Sequence, residues 1–121
     1  MIELIEGLPG EVVGVIAKGQ VTATDYEDVL IPAIQAALKE HPRIRCYYEL
    51  GHAFSGMDPD TLWRDFRIGM EHWTRWERIA LVTDHAWITH AANALCFLMP
   101  APVHVFSVDE RREARAWITA K

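Results

Sequence analysis

Residues 78–84 read Arg78-Ile79-Ala80-Leu81-Val82-Thr83-Asp84, and this short stretch decides the fold. Four consecutive apolar residues leave no polar face, the pattern of a strand covered on both sides. Asp84 then offers a helix cap, and Ala86–Met99 is apolar at helical spacing until Pro100 stops it. A doubly covered strand leading straight into a helix is the unit of an α/β protein with a largely parallel sheet.

Downstream, Val103–Val108 reads as a fifth strand, and Asp109 caps a last helix that presents Ala114, Trp117 and Ile118 inward. Upstream, a helix through Leu62–Trp76, opened by the N-cap pair Asp58-Pro59, carries Trp63, Phe66, Met70 and Trp73 at i, i+3, i+7 and i+10. Before it, Arg43–Leu50 alternates. Ile44, Cys46, Tyr48 and Leu50 share one face and Arg45, Tyr47 and Glu49 the other, with Gly51–Met57 read as a loop.

The first helix is expected to open on a capping box of Thr24 and Glu27 and to be interrupted at Pro32. Ile2–Glu6 and Glu11–Lys18 form a leading hairpin around Gly7-Leu8-Pro9-Gly10. The order ββαβαβαβα predicts α/β architecture: a mixed, mostly parallel five-stranded sheet with helices on both faces, as one domain over residues 1–121.

Composition narrows the function classes. Half the residues are hydrophobic and 24% are charged, which is ordinary for a globular chain and against disorder. The net charge of −5 argues against a nucleic-acid binder, which needs a basic stripe to displace phosphate counterions. The imbalance sits in residues 1–42, where seven acids face Lys18 and Lys39. No basic segment followed by an apolar run opens the chain, so a secretory signal is not expected and the location reads as cytoplasmic. His85 to Val108 lacks any Asp, Glu, Lys or Arg, yet Pro100 and its polar interruptions keep it from reading as a membrane span.

Chemistry-bearing motifs are scarce. His85 and His90 point about 140° apart on a helix, and His52, His72 and His104 fall on separate elements, so no metal site is expected. Asp84-His85 lacks a partner nucleophile, and no glycine loop for phosphate is present. Cys46 and Cys96 read as free buried thiols. Neither a cofactor nor enzyme activity is expected.

Several short pieces, taken in order, resemble the SpoIIAA-like proteins, single-domain bacterial relatives of the STAS domain. They are Gly19 with Thr24-Asp25-Tyr26 and Pro32, Phe54-Ser55-Gly56, Ile79-Ala80-Leu81-Val82-Thr83-Asp84 with Trp87, and Glu113-Ala114 with Trp117-Ile118. The resemblance implies an α/β sandwich, also similar to the CRAL-TRIO lipid-carrier fold, and a non-enzymatic role. It also implies two kinds of contact: a hydrophobic pocket between helices with peripheral membrane association, or a regulatory protein partner. STAS antagonists are switched at a serine in an Asp-Ser-Ser-Gly motif. Here the region reads Phe54-Ser55-Gly56-Met57-Asp58, with a single serine and no preceding acid.

Two sets of candidate residues follow. For an apolar ligand or lipid they are Trp63, Phe66, Met70, Trp73, Trp87, Ala91 and Leu95, on the second and third helices. Core packing is the competing account of that aromatic stripe. Arg64, Arg67, Arg75 and Arg78 beside it match the composition of an interfacial helix. For a protein partner the candidates are Phe54, Ser55, Gly56 and Asp58. On the third helix, Trp87, Ala91, Leu95 and Leu98 are expected to face the sheet, with Ile88, Ala92, Cys96 and Met99 adjoining. So apolar a helix must be covered by the second helix, a second copy, a ligand or lipid.

Overall fold

The computed structural model describes residues 1–57, 75–95 and 102–120. Its strands are β1 (Ile2–Leu4), β2 (Val12–Val21), β3 (Ile44–Met57), β4 (Trp76–Thr83) and β5 (Val103–Phe106). The helical elements are α1 (Ala23–Asp25), a π turn (Tyr26–Leu30), α2 (Ile31–Glu40), α3 (Ala86–Leu95), a 3₁₀ turn (Val108–Glu110) and α4 (Arg111–Thr119). The five strands lie side by side in chain order, β1 antiparallel to β2 and the rest parallel. This is the mixed, mostly parallel sheet that the apolar runs predict.

Both faces of the sheet are covered, as Val12-Val13 and Ile79–Val82 require. Ile44, Cys46, Tyr48 and Leu50 of β3 join Tyr26, Leu30, Ile34 and Ile88 in one core, beneath α2 and α3. Tyr47 lies on the opposite face with Ala80 and Val82, under Ala114 and Ile118 of α4. The two layers explain why the alternating polar side of β3 is not a wet side: Arg45 and Glu49 are buried there.

Local chemistry moves several expected boundaries. The first helix opens two residues earlier than the Thr24–Glu27 box implies. Asp25 accepts from the Thr22 amide at 2.8 Å and hydroxyl at 3.1 Å, and the Asp25 amide donates back to the Thr22 hydroxyl at 3.4 Å. Burial alone would raise the Asp25 carboxyl, but the Thr22 bonds and the Met1 ammonium outweigh it and hold it below the ordinary value. The expected break at Pro32 is taken up one turn earlier, where the Ile31 amide reaches back to the Tyr26 carbonyl across a π turn. Proline has no N–H for the regular α ladder, so a widened turn ahead of it is a physically ordinary accommodation.

Other corrections concern the ends of elements. Gly51–Met57 is not a loop but the continuation of β3, which pairs Phe54, Gly56 and Met57 with Gly19, Gln20 and Val21. Gly19 takes a φ of +60° at the register shift where that extension begins, a conformation that favours glycine. Trp76 belongs to β4 and is buried, not to the tryptophan helix. The last helical segment is capped by Ser107 and Glu110 in a reciprocal box, not by Asp109. Asp84 does not cap α3: its Oδ1 accepts from the Val108 amide at 3.0 Å, and Thr83 Oγ1 takes the His85 amide instead.

Candidate functional site

The extension of β3 reaches the start of α3. Phe54, from the extension of β3, packs edge-on against the His85 ring at a centroid distance of 5.1 Å. Two residues further on, Trp87 stands 45% exposed, while Ile88 beside it turns into the core at 7%. This inverts the face expected for the third helix, on which Trp87 was to meet the sheet. The sheet beneath α3 is covered by Ile88, leaving the larger indole outside. The indole is thus partly open to solvent on a helix that carries no Asp, Glu, Lys or Arg.

The remaining candidates divide. Ala91 and Leu95 are placed as positions on α3. Trp63, Phe66, Met70, Trp73 and Asp58 lie outside the described residues, as do Arg64, Arg67, Cys96 and the second predicted helix up to residue 74. Of the partner set, Phe54 is buried at 4%, Ser55 is exposed, and Gly56 is half-buried with a φ of +153°. Phe54 is therefore a support for the α3 start rather than an open contact.

Two of the four arginines that suggested an interfacial helix, Arg75 and Arg78, meet backbone carbonyls at helix ends. Arg75 donates to the carbonyls of Leu38 and His41 through Nη2 and of Pro42 through Nε, closing the carboxyl end of α2. Arg78 donates to the carbonyls of Trp117 and Ala120, and Arg45 to those of Ile118 and Ala120, closing α4. Each cation meets the carbonyls that a helix end leaves free, where the helix dipole also favours positive charge.

Sequence reasoning left a second cluster unnamed, on the α4 face of β3. The Tyr47 hydroxyl donates to Glu49 Oε1 at 2.7 Å, and the Arg111 Nη1 lies 3.7 Å from Glu49 Oε2. The Arg115 guanidinium sits 5.5 Å from the Tyr47 ring centre. Arg45 pairs with Glu77 through both Nε and Nη2. The signal was available in the apolar runs of β2 and β4: a central strand between doubly covered neighbours has no solvent side, so its Arg, Tyr and Glu must find partners.

His52 Nε2 lies 3.6 Å from Asp84 Oδ2, at an exposed position. Among the described residues, no three His, Cys, Asp or Glu side chains are grouped as a metal ion would require, and no helix is long and apolar enough to cross a membrane.

Comparison with known proteins agrees with this architecture. The family model described as SpoIIAA-like matches residues 12–119, and the chain belongs to that family. Among solved structures, it is similar to an uncharacterized protein with a SpoIIAA-like fold from Shewanella loihica PV-4. That likeness has a TM-score of 0.75 at 21% identity, covering 98% of this chain and 92% of the other. A comparison with curated proteins found no match.

Proposed function

We propose that this chain is a non-catalytic binding module that receives a small apolar molecule or a lipid tail at the α3 side of its sheet, with Trp87 as the exposed contact. The observation that carries the reading is the pairing of Trp87 and Ile88 on a charge-free helix: the smaller residue fills the core and the larger aromatic faces outward. Burying that indole against a ligand or a bilayer recovers free energy that the unbound protein forgoes. The candidate residues on the second predicted helix, Trp63, Phe66, Met70 and Trp73, would complete the contact in this reading.

Native mass spectrometry of freshly purified protein tests it, compared with the same sample denatured. The expected result is an adduct present only in the native spectrum and lost in Trp87→Ala, whose thermal midpoint stays that of the wild type. An adduct-free wild type that also fails to shift its tryptophan emission on neutral phosphatidylcholine vesicles overturns the reading.

A regulatory protein–protein role of the STAS type is the second reading. Membership of the SpoIIAA-like family and the exposed Ser55 on the projecting end of β3 support it. Recovery of a protein partner whose capture is lost in Ser55→Ala would favour this reading over the first.

A further inference from the structure

Trp76 opens β4 and is 7% exposed. Among the described residues, its indole Nε1–H is the one buried side-chain polar atom without a hydrogen-bond partner. Buried indoles ordinarily find an acceptor, because an N–H left without one bears its full desolvation cost. The strand register explains why it lies where it does. Ile44 pairs with Trp76 and Arg45 with Arg78, so Glu77 is an extra residue at that point. In a regular strand residues 76 and 79 would point to opposite faces. The shift instead puts Trp76 on the α2 and α3 face, with Ile79 and Leu81. Those two stand in register with Val103 and Val105 of β5, so all four share that face, and each is only half-buried.

An incompletely covered apolar strip two strands wide, on the same face as a donor that lacks an acceptor, matches a hydrocarbon chain bearing an oxygen. The kind of oxygen is constrained as well. Among the described residues, the core on this face includes no Asp, Glu, Lys or Arg. Arg75, next to Trp76 in the chain, commits Nε and Nη2 to the carbonyls at the end of α2. Arg45 and Arg78 turn the other way, to the carbonyls of α4. A carboxylate beside Trp76 would be buried without a cation, whereas a neutral carbonyl asks only for one donor. We propose that the Trp76 indole N–H is the polar anchor for the ligand on this face, and that this ligand is an apolar chain carrying a neutral carbonyl, as in a ketone, aldehyde or ester. The assignment rests on the carrier reading above and adds the chemistry that is selected.

The probe is 2-octanone, with octane as its counterpart lacking the oxygen. Nitrogen-15-labelled protein is titrated with each, following the indole Nε1–H resonances, of which the Trp76 signal is the one absent from Trp76→Phe. A saturable downfield shift of that signal with 2-octanone and not with octane is expected, since only the ketone supplies an acceptor. Trp76→Phe should bind 2-octanone roughly tenfold more weakly than the wild type. Equal movement of the Trp76 signal by both probes overturns the carbonyl assignment and leaves the carrier reading standing. So does a folded Trp76→Phe with wild-type affinity for the ketone, or an Nε1–H held by a long-lived water that 2-octanone does not displace. A Trp76 signal unmoved by 2-octanone also overturns the assignment, and the carrier reading falls with it only if the native mass spectrum of the wild type lacks an adduct. Should Trp76→Phe fail to fold, the comparison of the two probes on the wild type decides.

Discussion

Arg75 and Leu38 are joined by a 2.7 Å hydrogen bond from the guanidinium Nη2 to the carbonyl oxygen, and the same side chain also takes the carbonyls of His41 and Pro42. A residue just ahead of β4 thus finishes the carboxyl end of α2, more than thirty positions earlier in the chain. Arg75→Ala should destabilise the fold by about 1–3 kcal/mol, since it leaves those helix-end carbonyls without this donor. Arg75→Lys should recover less than half of that loss, because an ammonium cannot span the three oxygens as a planar fork does. Urea denaturation measures both. Vesicle association, if present in the wild type, should be unchanged in either variant.

The Tyr26 and Tyr48 hydroxyls meet at 2.8 Å in the core between the π turn and β3. Each single change to Phe should cost about 1–2 kcal/mol. The double variant should cost less than the sum, by about 0.5 kcal/mol or more, because both changes remove the same hydroxyl–hydroxyl bond. Strict additivity in a denaturation cycle would show that the two hydroxyls do not depend on one another.

Tyr47 supplies a pH dependence of known sign. Burial, and then the bond to Glu49, push its phenol up to about 12, against a partial opposing effect of Arg115. An unfolded tyrosine titrates near 10. Between those values the unfolded chain gives up a proton that the folded one keeps, so the stabilisation is full below pH ~10 and falls as pH rises towards ~12. The difference in unfolding free energy between wild type and Tyr47→Phe should shrink across that window. A constant difference there would contradict the assignment.

Trp87 and Ile88 should separate cleanly under mutation. Ile88→Ala removes buried methyl groups from the core and should cost about 2–4 kcal/mol. Trp87→Ala, at an exposed position, should stay within about 0.5–1 kcal/mol of the wild type. Thermal denaturation of the two proteins reads the contrast. Equal large losses would put the indole in the core after all.

The sheet was legible because its strands are written redundantly: Val12-Val13 and Ile79–Val82 announce two covered faces, and Ile44 to Leu50 announces alternation. The caps were harder, because acids and hydroxyls crowd each helix start and only geometry chooses among them. Thr22 with Asp25 prevailed over Thr24 with Glu27, and Ser107 over Asp109. The extension of β3 was missed because Gly51, Ser55 and Gly56 read as turn residues, while a register shift at Gly19 lets that segment keep pairing with β2. The face of α3 was misjudged for a different reason. On a helix apolar nearly all round, hydrophobicity does not say which of Trp87 and Ile88 points inward; the room left above the sheet does.

The side-by-side order of the strands also bears on how the chain matures as it is synthesised. Every strand lies beside its immediate predecessor in the chain, so β1, β2 and β3 pair with one another without needing β4. The buried charges of β3 cannot be completed so early. Arg45 waits for the carbonyls of Ile118 and Ala120, and Glu49 for Arg111. A chain lacking the last helix would keep the Arg45–Glu77 and Tyr47–Glu49 contacts but lose the Ile118 and Ala120 carbonyls and the Arg111 cation, so β3's buried charges are completed only by the last helix.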